Sequence, residues 1–145
     1  MQRTTRTHKI ITKLDKSVQM WGDRYRTGQV LTNLLSNAVK YSPHAKKIIV
    51  SSKIDSNLIS ICVEDLGIGI KKDVLNKVFD RFFRVTESKM NTFPGLGLGL
   101  YIAAEIVKRQ GGTITVESTE GKGSIFCFTL PLETHDKEKK QNNVN

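Results

Sequence analysis

Three short stretches of this sequence carry residue types and spacings suited to chemistry. Gly95, Gly97 and Gly99 alternate between Pro94 and Leu100 and run directly into a helix-like segment. Glycine lets backbone N–H groups approach an anion without Cβ interference. A helix N-terminus adds free donors and partial positive charge. The pair suits a phosphate chain; a mobile loop that needs glycine is the plainer reading. Asp65 opens the run Asp65–Gly69 (DLGIG), directly after the strand-like Ile59–Val63. A carboxylate at a strand end, beside flexible backbone, can accept a hydrogen bond from an exocyclic amine; a simple Asp turn is the alternative. Asn33 and Asn37 are four residues apart, on one helical face. An amide oxygen there can ligate Mg²⁺, which prefers hard oxygen ligands and shares its shell with phosphates; two amides satisfied by backbone groups are the alternative. One turn on, Lys40 can reach a phosphate and Tyr41 can pack its ring against a base.

Several site classes are excluded. A Walker A loop needs Lys followed by Ser or Thr, and here Lys122 is followed by Gly123. The glycines at 95–99 follow a polar loop with the wrong spacing for a dinucleotide fingerprint. His8, His44 and His135 have no Cys or His at metal-ligand spacing, so no zinc motif is present. Cys62 and Cys127 each lie inside an apolar run and are expected to be reduced core thiols, with a disulfide as the alternative. The formal net charge is +9, which favours an anionic partner without choosing one. No run of 18 apolar residues occurs, and the polar, basic start resembles no signal peptide, so a soluble, cytoplasmic domain is expected.

These residues need elements to position them. At 145 residues, with 38% hydrophobic composition, one domain with a real core is expected. His8–Leu14 reads as a short strand. Gly22-Asp23 opens a helix, with Asp23 as N-cap. Val30, Leu31, Leu34, Leu35, Ala38 and Val39 form its 3.6-residue stripe, and Ser42-Pro43 stops it. Lys47–Ile54 and Leu58–Glu64 read as strands joined by a hairpin-like turn. Asp73–Phe83 and Leu100–Gln110 read as helices, the second capped by Gly111-Gly112. Thr113–Ser118 and Ser124–Leu130 close the chain as strands around Gly121-Lys122-Gly123. The pattern is α+β, with adjacent strands paired and helices on one face. Residues 1–7 and the polar 133–145 are expected to be a flexible segment and a disordered tail around a domain at 8–132.

In this order the segments resemble the ATP-binding catalytic domain of sensor histidine kinases, in the GHKL superfamily (gyrase, Hsp90, histidine kinase, MutL). Gln29–Pro43 (QVLTNLLSNAVKYSP) is similar to the family's N box, Glu64–Ile70 (EDLGIGI) to its G1 box and Val78–Arg84 (VFDRFFR) to its F box. Gly95–Tyr101 (GLGLGLY) is similar to its G2 box, and Gly121–Phe126 (GKGSIF) to its closing glycine turn. The resemblance implies a two-layer α/β sandwich of the Bergerat type. Its sheet is mixed and mostly antiparallel, covered on one face by about three helices, with an ATP lid at Arg84–Pro94. It implies ATP and Mg²⁺ as cofactors. Asn37 would ligate the metal with Asn33 nearby, Lys40 would touch phosphates and Tyr41 would flank adenine. Asp65 would accept from the adenine amino group, and Gly67, Gly69 and Ile70 would approach the base. Gly95, Leu96, Gly97, Leu98, Gly99 and Leu100 would line the phosphates. Phe82 or Phe83 would anchor the lid, and Arg81 or Arg84 would steady the γ-phosphate or meet the acceptor domain.

Where hydrolysing relatives in that superfamily carry a glutamate base, this sequence has Asn33, an amide that cannot take a proton from water. The resemblance therefore implies ATP held for attack by another nucleophile, a histidine on a separate helical dimerisation domain, with relay to an aspartate of a response regulator. His8 lacks the sequence that follows such an acceptor histidine, so the acceptor is expected in a longer parent, possibly membrane-anchored, and this chain is expected to be a monomer that does not autophosphorylate alone. Two alternatives are an anti-sigma-type serine/threonine kinase, against which the F box and lid argue, and a nucleic-acid-binding module. The basic residues are scattered and aromatics are 7%, so no nucleic acid partner is expected.

Overall fold

The computed structural model describes residues 8–15, 24–81, 83 and 98–132. Asp23, the segment 84–94 expected to form a lid, and both termini beyond these limits lie outside the described residues. The described elements, in chain order, are β1 (Lys9–Lys13), α1 (Arg24–Lys40), β2 (Lys47–Asp55), β3 (Leu58–Asp65), a 3-10 helix (Lys72–Lys77), α2 (Gly99–Arg109), β4 (Thr113–Thr119) and β5 (Gly123–Pro131).

The five strands form one sheet in the order β1-β2-β3-β5-β4. β1 pairs with β2 in parallel, and α1 lies between them in the chain. Every other pairing is antiparallel. The β2–β3 turn is tight: Asp55 pairs with Leu58, and Ser56 takes a left-handed φ of 55°. β5 inserts between β3 and β4, so Ser124 in β5 is brought opposite Asp65 in β3.

Alternation along the strands decides which face is buried. Ile48, Val50, Ile59, Val63, Phe126, Phe128 and Leu130 point to one face and pack with Val30, Leu34 and Ala38 of α1 and Ala103, Ile106 and Val107 of α2. The α1 residues recur every four positions, as its apolar stripe predicts. This is the α+β architecture expected: a mixed open sheet with helices on one face. Among the described residues no helix is long and apolar enough to cross a membrane.

Two expectations are corrected. Asp73–Phe83 is not a continuous helix: a 3-10 helix covers Lys72–Lys77 and turns follow. A segment this short gains little from α-helical bonding. Bonds of the i→i+3 type, Val74 N–H to Lys71 carbonyl and Asp80 N–H to Lys77 carbonyl, wrap it instead around Val78, which is buried. Phe79 then meets Phe126 edge-on at 6.1 Å, and Phe83 packs on the same core.

Cys62 and Cys127 are not reduced core thiols. They are register partners on β3 and β5 with Cα atoms 4.1 Å apart, joined as a disulfide. Their neighbours Val63, Phe126 and Phe128 take the core face, so the period of two places both cysteines, half-buried, on the other face. The bridge spans 65 residues of sequence. A loop of that length removes enough unfolded-state entropy for about 4 kcal/mol. Reductant should therefore lower the melting temperature by on the order of 10 °C, measured by thermal unfolding, and should leave a Cys62→Ser/Cys127→Ser double variant unmoved.

Candidate functional site

The site is built where the C-terminal end of α1 meets the loop after β3. The last carbonyls of a helix lack intrahelical donors, and here the Ala38 and Tyr41 carbonyls find donors from beyond the helix. Ser42 Oγ donates to the Ala38 carbonyl at 2.6 Å. The Tyr41 carbonyl accepts from Ile68 N–H at 3.0 Å, and the Ile68 carbonyl accepts from Gly121 N–H at 2.7 Å. One loop residue thus ties the end of α1 to the β4–β5 turn. The contact is so close that a Cβ on Gly67 would stand 1.9 Å from the Tyr41 carbonyl oxygen. Gly69 has a φ of 70°, and a Cβ there would meet the Thr119 carbonyl oxygen at 2.1 Å. Both glycines are thus required by chain-to-chain packing around the site.

Asp65 ends β3 on the core face and is only 3% exposed. Its Oδ1 accepts from Gly67 N–H at 2.9 Å, and Ser124 N–H also donates to the carboxylate. Burial raises its pKa to about 6; the two N–H bonds oppose that rise and the nearby Glu64 charge adds to it. A carboxylate held buried and ionised near neutral pH is costly, and such groups concentrate at functional sites. Beside it, Ser118 Oγ accepts from Ile70 N–H at 2.8 Å and donates to the Gly123 carbonyl at 2.8 Å, and Ser124 Oγ lies 2.7 Å away.

Asn37, Tyr41, Asp65, Gly69 and Ile70 line one concavity, together with Ser124 and Phe126. Its lining brings an anionic acceptor, a neutral amide and an aromatic residue together around a volume of about 10 Å³. Ser124 was not singled out from sequence; its signal is its place after Gly121-Lys122-Gly123, opposite Asp65 in register. Asn33 is not part of this concavity. Its Nδ2 donates to the Gly99 carbonyl at 3.1 Å, joining α1 to the start of α2. Leu98 precedes α2, and Gly99 and Leu100 form its first turn. Lys40 is the half-buried last residue of α1, and Arg81 is exposed. Phe82, Arg84, Gly95, Leu96 and Gly97 lie outside the described residues. A separate groove of about 400 Å³ between Arg26, Tyr101, Glu105 and Arg109 contains no predicted site residue.

Residues 22–134 match the family described as histidine kinase-, DNA gyrase B-, and HSP90-like ATPase. The chain belongs to this family. Its nucleotide is therefore ATP, the ligand of the family's domain. The sensor histidine kinase WalK of Bacillus subtilis is 41% identical over 126 residues, covering 86% of this chain and 21% of WalK. The chain thus spans about a fifth of that relative. The mycobacterial sensor histidine kinase MprB superposes with a TM-score of 0.71 at 30% identity, covering 86% of this chain and 83% of MprB. Full-length ShkA, solved in complex with AMPPNP, superposes with a TM-score of 0.73 at 28% identity, covering 86% of this chain and 26% of ShkA.

The raised Asp65 pKa has a defined sign. With about 6 in the folded chain against 3.8 for the free group, folding takes up a proton between those values. The stability it contributes is complete below 3.8 and is lost as pH rises through about 6. Denaturation from pH 4.5 to 7.5 should show the wild-type chain losing stability relative to Asp65→Asn as pH rises. A difference that is flat across this range contradicts the assigned burial of the charge.

Proposed function

We propose that residues 8–132 are the ATP-binding catalytic domain of a two-component sensor histidine kinase. The domain binds Mg-ATP on the cytoplasmic side and passes the γ-phosphoryl group to a histidine on a separate helical dimerisation domain, from which it moves to an aspartate of a response regulator. The observation that carries this reading is the buried Asp65 carboxylate, fixed by Gly67 and Ser124 N–H groups and facing the same concavity as Asn37 and Tyr41.

In this reading Asp65 accepts the adenine amino proton and Tyr41 flanks the base. A guanine presents a carbonyl at the matching position, and two acceptors then face each other unpaired. Gly67 keeps the loop close to the end of α1 and Gly69 keeps it close to the end of β4, so that the base reaches Asp65, and Ile70 forms the apolar floor. Lys40, Leu98, Gly99 and Leu100 stand toward the phosphates, with Gly95, Leu96 and Gly97 of the same motif. Phe82 or Phe83 would anchor the lid, and Arg81 or Arg84 would meet the γ-phosphate or the acceptor domain.

Among the described residues no group of three His, Cys, Asp or Glu side chains gathers to hold a metal. The Asn37 amide oxygen alone fits a cation that arrives with phosphates and keeps water ligands, which is the habit of Mg²⁺. When bound, Mg²⁺ neutralises charge on the phosphates. Asn33 acts here by positioning: its amide is engaged with the Gly99 carbonyl and offers no base for water. ATP is thereby kept for in-line attack by the acceptor histidine rather than hydrolysed.

Calorimetric titration should give magnesium-dependent binding of ADP and an unhydrolysable ATP analogue, weak binding of GTP, and a loss of about tenfold or more in Asp65→Asn. Supplied with ATP and the parent's helical domain, the chain should then transfer an acid-labile label. Acid-stable label points to serine or threonine instead, and equal binding of ATP and GTP contradicts the assignment of Asp65.

A further inference from the structure

His8 stands immediately before β1, carries none of the roles above, and is 4% exposed. Its Nε2 lies 2.7 Å from the Ser42 carbonyl oxygen and 3.1 Å from Ser42 Oγ. A carbonyl oxygen only accepts, so Nε2 carries the proton and donates. Ser42 Oγ in turn gives its own proton to the Ala38 carbonyl at 2.6 Å, which leaves its lone pairs facing the imidazole. Ser42 is fully buried, at 0% exposure. The contact spans 34 residues of sequence and joins the sheet edge to the end of α1.

That end of α1 is the wall of the nucleotide concavity. Tyr41 N–H bonds the Asn37 carbonyl at 3.1 Å, the Tyr41 carbonyl takes Ile68 N–H, and the next carbonyl in the chain is the one His8 holds. Tyr41 is therefore gripped from both sides: by the loop that carries Gly67, and by His8 through Ser42. Pro43 follows and cannot continue the helix, so no further helical turn donates to the Ser42 carbonyl. A carbonyl left without its donor in so buried a place must shift toward water, and Tyr41 and Asn37 move with it relative to Asp65.

We propose that His8 is a positioning residue of the nucleotide site: through Ser42 it holds Asn37 and Tyr41 at their working distance from Asp65. The inference rests on the nucleotide-binding reading above. His8 touches neither nucleotide nor phosphoryl group in this role.

The test is calorimetric titration with ADP and Mg²⁺ alongside thermal unfolding, on the wild-type chain and on His8→Ala, His8→Gln, His8→Asn and Ile59→Ala. The Gln amide nitrogen reaches about as far as imidazole Nε2, and the Asn amide does not. His8→Ala and His8→Asn should weaken ADP binding about tenfold, and His8→Gln should restore it to within about threefold of wild type. Ile59 packs in the core and pairs with Leu130, toward the other end of β3 from Asp65. Ile59→Ala should lower the melting temperature without changing ADP affinity. The proposal is overturned if His8→Asn and His8→Gln, both folded, bind ADP equally, or if Ile59→Ala loses affinity in step with its melting temperature. A folded wild-type chain that binds no ADP overturns the nucleotide reading itself, which separates that failure from this one.

Discussion

Asp65 keeps a carboxylate where 3% of the residue is exposed, and much of the surrounding structure answers the cost of doing so. Burial alone drives such a group toward neutrality. Two backbone N–H groups hold part of the charge back, and they come from different places: Gly67 from the loop after β3, and Ser124 from the adjacent strand β5. Both donors depend on close packing. Gly67 must lack a side chain because the Tyr41 carbonyl occupies that space, and Gly123 must lack one because the Asp65 carbonyl lies 2.1 Å from where its Cβ would stand. The glycine loop, the end of α1 and the β4–β5 turn thus converge on one constraint. The carboxylate is retained as an acceptor with a fixed direction, which is what discrimination of an amino group from a carbonyl requires.

The sheet order explains why such a site needs the whole domain. β5 lies between β3 and β4, so the two donors to Asp65 are separated by 57 positions of sequence, from Gly67 to Ser124. Three positions back along the same two strands, on the opposite face, Cys62 and Cys127 are covalently joined. The cross-link and the Asp65–Ser124 contact therefore fix the same strand pair. The covalent bond limits sliding between β3 and β5, and the carboxylate is the group most sensitive to such sliding, because one N–H of its pair rides on β5.

What was legible in the sequence follows the range of the interactions concerned. The α1 stripe, the stop at Ser42-Pro43 and the two hairpin turns are set by residues a few positions apart, and they stand where periodicity places them. Asp65 was readable as a candidate because a strand end followed by two glycines is local too. Asn33 was half-readable: the amide is plain in the sequence, but the Gly99 carbonyl it holds lies 66 residues away. The cysteines were misread because apolar neighbours suggest a core, whereas alternation on a sheet covered on one side sends them to the other face. The 3-10 helix was read as a longer helix because Val74, Leu75, Val78 and Phe79 have helical spacing; the edge-on contact of Phe79 with Phe126 exists only after folding. The bonds from His8 to Ser42 and from Ile70 to Ser118 left no local trace, since their partners lie 34 and 48 residues apart.

The two walls of the concavity are held by unlike means. On the β3–β5 side the fixing is covalent behind the sheet and backbone-based in front of it. On the α1 side it is a short chain of side-chain bonds, Ala38 to Ser42 to His8, that replaces the missing last turn of the helix. A helix end with its carbonyls in water would fray, and Asn37 and Tyr41 sit within its final turn and just beyond it. The concavity is thus bounded by rigid backbone on one side and by a buried hydroxyl and imidazole on the other. Packing alone does not hold the second side, because Asn37 and Tyr41 are half-buried and the apolar stripe of α1 holds only the opposite side of the helix.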